Sequence, residues 1–178
     1  NVGTYVLGAD TELPDLIDKG SCIGPRMQAS GPYLTVPRGG GDLFVPDFEE
    51  PADNARFHAG VARGEEEFRL RAESLVDAGA DVLKVIASGA VLAHGGVPGA
   101  PEMTEDEIRA VVDIAHAVDK KVAAHAHGSE SIRMAIAAGV DTIEHASYLD
   151  EGGIAGALAP GQGGGGLGGL NRGDTGAQ

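Results

Sequence analysis

The sequence predicts an α/β fold built on a parallel sheet. Three observations carry this: strand-like apolar runs alternate with helical stretches, the runs are nearly continuous in apolar residues, and two helix exits share one signature. The exits are Ala78, Gly79, Ala80, Asp81 and Ala138, Gly139, Val140, Asp141, each a glycine cap and a tight turn into a buried strand. The repeating unit is βα, which suits an open doubly wound sheet or a segment of a (β/α)8 barrel. About five strands fall in the first 150 residues. A closed barrel typically needs about 250 residues, so a barrel here is incomplete.

The elements follow in order. VGTYVLG reads as a strand and LPDLIDKG as a short helix closed by Gly20. RMQASGPYLTV supplies the next strand, and a Gly- and Pro-rich stretch over 37–54 reads as a long loop. A helix from about Glu65 to Ala78 sets Phe68, Ala72, Leu75 and Val76 on one face, and the strand DVLKVIA follows. Thr104 and Glu107 form a capping box that opens a helix with Ile108, Val111, Val112, Ala115 and Val118 as its apolar stripe. KVAAHAH is the next strand. SESIRMAIAAG is a helix with Ile132, Ala135 and Ile136 inward, and DTIEHAS is the strand after it.

From Gly152 onward the chain holds 12 of its 29 glycines, a composition that cannot offset the entropy of ordering it. The expected organisation is one α/β domain over 1–151 and a disordered Gly-rich tail over 152–178. Asn1 runs at once into strand-like sequence, as though the chain were a piece of a longer protein.

A formal net charge of −14 argues against nucleic acid or anionic membranes as partners. No apolar stretch reaches the roughly 20 residues needed to cross a bilayer. Cys22 is the only cysteine, so no intrachain disulfide can form, and a cytoplasmic chain is favoured over a secreted one. A homo-oligomer is compatible with these properties.

The chemistry concentrates on the strands. Lys84 is flanked by Val82, Leu83, Val85 and Ile86, where an ammonium is costly to bury; it should be neutral, paired or chemically committed. Strand alternation places His125 and His127 on one face with Ala123, sets Lys84 with Val82 and Ile86, and sets His145 with Ile143 and Ser147. In a curved sheet, Lys84, His125 and His145 can converge near the C-terminal strand ends, where imidazoles suit zinc and similar ions. A buried neutral lysine can form a Schiff base or react with carbon dioxide to give a carbamate that bridges metal ions. Taken singly, Lys84 reads as a surface lysine and each histidine as structural; the ordered combination argues for a site. His58, His94 and His116 have weaker claims.

At these residues the chain resembles the metal-dependent amidohydrolase superfamily, in its imidazolonepropionase-like and Xaa-dipeptidase (prolidase-like) branch. The matching stretches are GPRMQASG, AGADVLKVIASGAV, PGAPEMTEDEIRAVVDIAHA, KVAAHAHG and GVDTIEHASYLD, in family order. The resemblance implies a partial (β/α)8 TIM barrel covering about strands two to six. It makes Lys84 the carboxylated bridging lysine and His125 and His145 metal ligands, in a site that holds two divalent ions, zinc by expectation, in an intact relative. It implies hydrolysis of a C–N amide bond in a dipeptide, an N-acyl amino acid or a cyclic amide through a metal-activated hydroxide. His127 and Tyr148 become the substrate-facing residues. The family's strand-one His-x-His pair and strand-eight catalytic aspartate have no counterpart, so the catalytic residue is unassigned and the chain alone is expected to be inactive. The loop PRGGGD also carries glycines where many relatives have a histidine. Two other readings of the residues remain: a Schiff-base (class I) aldolase using Lys84, which GADVLKV also resembles, and a non-catalytic α/β binding module.

Overall fold

The structure, a computed structural model, describes residues 3–4, 10–42, 57–91 and 97–159. Among these residues three parallel strands form the sheet in the order β1 (Val82–Ile86), β2 (Lys121–Ala126) and β3 (Thr142–His145). Parallel bridges from Leu34 to Val85, Thr35 to Val61 and Thr4 to Pro32 extend it beyond β1. The strand expected over RMQASGPYLTV is therefore reduced to short contacts. Gly31 has a left-handed φ of 67°, and Pro32 has no N–H to give to a ladder, so regular pairing cannot establish itself there. Of the first expected strand, only Gly3 and Thr4 lie among the described residues, and of the expected loop only 37–42.

Among the described residues five helices accompany the sheet: α1 (Glu12–Asp18), α2 (Gly64–Asp77), α3 (Glu105–His116), α4 (Ser129–Ala138) and α5 (Glu151–Ala157). From α2 to α5 each packs on the next in chain order. The α3 capping box forms, with Glu107 N–H donating to Thr104 Oγ1 and Thr104 N–H donating to Glu107 Oε2. Its stripe buries Ile108, Val111, Val112 and Ala115; each large side chain fully withdrawn from water contributes about 1.5–3 kcal/mol. Val118, expected on that stripe, is exposed because the helix ends at His116 and the chain turns through Asp119 at a φ of 57°.

Both helix exits take the expected form. Gly79 and Gly139 adopt left-handed φ values of 89° and 92°, which glycine reaches without a Cβ penalty. The expectation of disorder from Gly152 is corrected for residues 152–159. Asp150 caps α5 by accepting from Gly153 N–H, and Gly153 is buried against Ile132 and Leu149. A cap and a docking surface offset the poor helix propensity of those glycines. Residues 160–178 lie outside the described residues.

Register divides the sheet into two faces. Leu83, Val85, Val122, Ala124, Ala126 and Ile143 join the helix-covered core. On the opposite face Lys84 lies beside Ala123, and Ile86, His125 and Glu144 form one row across the three strands. The first face is uniformly apolar, while the second carries the chemistry.

Candidate metal centre

His125 lies near the C-terminal end of β2 and is only 7% exposed. Its Nε2 is buried and has no hydrogen-bond partner, while the Gly89 backbone engages the ring through a hydrogen bond. Burial, followed by the charges of His127, His145 and Lys84, lowers its pKa to about 4. The ring is therefore neutral at pH 7 and offers an unused lone pair.

His127 follows on the same face. Its backbone N–H donates to Ser88 Oγ at 3.0 Å, and its Nδ1 lies 2.7 Å from Ser147 Oγ. Burial first and His145 second lower its pKa from the ordinary 6.5. The ring centroids of His125, His127 and His145 lie 4.6 to 4.8 Å apart, with His127 and His145 stacked and His125 edge-on to both. One ligand nitrogen from each falls within 4.8 Å of the others. Zinc sits about 2.0–2.1 Å from imidazole nitrogen, so modest ring rotations would draw the three onto one ion.

His145 reaches this cluster by a route that alternation does not predict. Its neighbour Ile143 faces the helices, and regular alternation would send His145 to that side too. Instead His145 and Ala146 take left-handed φ values of 73° and 46° at the strand end. This bend brings the ring back toward His127. The expected grouping of His145 with Ile143 is thus corrected, although its convergence with His125 is observed.

Lys84 is 3% exposed and paired: its Nζ donates to Glu144 Oε2 at 2.7 Å. Small Ala123, beside Lys84 in register, leaves room for the side chain to cross β2 to β3. Burial lowers the lysine pKa from 10.5, and the hydrogen bond and charge of Glu144 oppose that shift. Glu144 is therefore a site residue that the sequence reading missed. The available signal was its alternation with Ile143, which places a carboxylate on the face opposite the core. Ser88 and Ser147, which hold His127, left no comparable signal.

Tyr148 is 65% exposed, with its N–H bonded to the His127 carbonyl and its ring on the rim of an open cavity of about 290 Å³ that Pro98, Pro101 and Glu130 also line. Away from the cluster, His58 pairs with Asp42 at 2.5 Å and His116 with Asp141 at 2.9 Å. His94 lies outside the described residues.

The model of the Amidohydrolase family matches residues 5–162. Ochratoxinase of Aspergillus niger is 34% identical over 155 residues, covering 81% of this chain and 32% of that protein. A crystal structure of a Xaa-Pro dipeptidase with bound methionine in its active site superposes with a TM-score of 0.77 at 32% identity, covering 88% of this chain and 38% of the other. The crystal structure of the A. niger ochratoxinase gives a TM-score of 0.74 at 30% identity, with 85% and 37% covered. A prolidase complexed with N-methylphosphonate-L-proline gives 0.71 at 36% identity, with 82% and 37% covered. The chain thus spans about one third of the length of the relatives it matches, and its sheet and helices correspond to part of their (β/α)8 barrel. Across most of its length, and with a metal-capable histidine cluster at the strand ends, this chain belongs to the amidohydrolase family.

Proposed function

We propose that this chain is part of a metal-dependent amidohydrolase that cleaves the C–N amide bond of a small substrate: a dipeptide, an N-acyl amino acid or a cyclic amide. The observation that carries the reading is His125, with a buried, unpartnered Nε2, among three converging imidazoles in a member of the amidohydrolase family. The Xaa-Pro dipeptidase and prolidase relatives favour a dipeptide-like amide whose leaving group is an amino acid. In this reading His125 and His145 would hold divalent metal, zinc by preference, and Lys84, deprotonated and released from Glu144, would add to carbon dioxide with loss of a second proton to solvent, giving a carbamate that joins them. A bound ion supplies Lewis acidity toward the amide carbonyl and makes water more acidic. The Gly89 backbone fixes the His125 ring so that Nε2 faces the site, and Ser147 fixes His127. His127 and Tyr148 face the substrate, beside the open cavity.

We also infer that the 178-residue chain does not turn over alone, because it spans about a third of its relatives' length and β3 has no further strand beside it among the described residues. The test is hydrolysis of Xaa-Pro dipeptides and N-acyl amino acids by this chain and by a longer protein containing it, with zinc and with chelator. Chelator-sensitive hydrolysis by the longer protein alone is expected. Chelator-resistant hydrolysis, or borohydride trapping of a carbonyl substrate on Lys84 without metal, would replace this reading with another.

A further inference from the structure

We propose that the open cavity bordered by Tyr148 and Glu130 is a subsite for a cationic side chain, arginine or lysine, on an amino acid flanking the scissile amide. Calling it a substrate subsite rests on the amidohydrolase reading above; the charge preference rests on the cavity itself.

The floor of the cavity is backbone. A Cβ on Gly128 would lie 2.0 Å from the Gly99 carbonyl oxygen, so only glycine at 128 lets the two segments touch, and Gly99 itself takes a left-handed φ of 85°. Buried Ser131 donates its hydroxyl to the Gly99 carbonyl at 3.3 Å, and Gly99 N–H donates to the Gly89 carbonyl at 3.0 Å. Gly128 directly follows His127, and Tyr148 N–H donates to the His127 carbonyl at 2.9 Å. Floor and wall are thus both fixed to the strand end that carries the chemistry, and the space of about 290 Å³ is preformed.

Its lining suits a long side chain with a charged end. Pro98, Pro101 and the Tyr148 ring offer apolar surface to a methylene stem, the way arginine and lysine commonly lie along a protein while their heads stay in water. The tyrosine ring also attracts a cation to its face. Glu130, exposed at the start of α4, is the one carboxylate in the lining, which includes no lysine, arginine or histidine. Among the described residues no cation pairs with Glu130, and Arg133, about one turn along the helix, is engaged by Asp150. An arriving guanidinium or ammonium therefore finds a free carboxylate and displaces no existing ion pair, whereas an acidic side chain is repelled.

The experiment titrates the 178-residue chain with Nα-acetyl-argininamide and with Nα-acetyl-citrullinamide, its uncharged isostere, and follows the backbone amides of Gly99, Gly128 and Tyr148 by NMR. All three should shift, and the arginine ligand should bind about three- to tenfold more tightly, the scale of a solvent-exposed ion pair with a ring contact. E130Q should abolish that preference. E65Q removes the same charge from exposed α2 and should keep it, which separates a local carboxylate from the overall negative charge. Equal binding of the two ligands, an arginine preference that survives in E130Q or vanishes in E65Q, or shifts that miss these three amides would overturn the proposal. In the longer protein, kcat/KM for Ala-Arg and Arg-Ala against their citrulline counterparts then shows which side of the amide enters the cavity, and no preference in either pair also overturns it. Charge-selective binding by the chain without any dipeptide hydrolysis by the longer protein would support the cationic subsite while defeating the amidohydrolase reading.

Discussion

The two ends of the sheet are built on opposite terms. At the N-terminal ends, Asp81 and Asp141 follow left-handed glycines and clamp the neighbouring segment in the same way. Asp81 N–H donates to the Ala29 carbonyl at 2.7 Å and its Oδ2 accepts from Ala29 N–H at 2.9 Å; Asp141 makes the same two contacts with Val122 at 2.9 and 2.8 Å. At the C-terminal ends, His125 keeps a buried nitrogen without a partner and His145 occupies backbone space that suits glycine better. One end spends its polar groups on holding the strands together, whereas the other leaves lone pairs unused where a ligand can reach them. This is the division seen in barrel enzymes, with chemistry at the C-terminal face and stability at the other.

The largest expected effect lies where the two terms meet, at Lys84 and Glu144. Glu144→Leu strands a lysine that is 3% exposed. Breaking a buried pair costs roughly 3–5 kcal/mol, and the partial exposure of Glu144 argues for about 3 kcal/mol or less. The double variant Lys84→Met with Glu144→Leu should recover most of that loss in urea unfolding. Equal losses in the single and double variants would show that the pair is not coupled.

Asp141→Ala comes next. It leaves Val122 N–H unsatisfied and removes a partner of His116, at a cost of about 1–3 kcal/mol, while zinc affinity stays unchanged. A parallel fall in zinc affinity would mean that the two ends are not independent. His145→Asn should do the reverse, because asparagine tolerates left-handed backbone. Stability is expected to stay within about 0.5 kcal/mol while zinc binding weakens, as unfolding and titration on one sample would show.

The smallest effect concerns Glu102, whose carboxylate accepts from Gly40 N–H at 2.7 Å near the C-terminal strand ends. Burial raises its pKa above the ordinary 4.5, against the opposing Gly40 hydrogen bond. The folded state therefore holds a proton that the unfolded state has already released. That contribution is complete below pH 4.5 and is lost as pH rises through the folded value. Glu102→Gln should flatten this part of the stability profile; an unchanged slope would assign it to other groups.

The order of β1, α3, β2, α4 and β3 was legible because each element carries its own periodicity and caps. The Thr104–Glu107 box and Gly139 are local signals, readable within a few residues. His125 and His127 were legible for the same reason, since alternation within one strand sets their common face. The glycine-rich start of α5 was misread because composition alone does not register the Asp150 cap or the contact of Gly153 with Ile132.

By itself the sequence determined the βα repeat, the apolar helix-facing sheet surface and the presence of lysine and histidines on strands, all properties of spacing along one segment. Only the tertiary structure decided that Lys84 meets Glu144 and that His145 turns back to join His125 and His127. The first depends on the register of three strands brought together from residues 60 apart. The second depends on the hand of the backbone at a strand end, which overrides the alternation that a local pattern assumes.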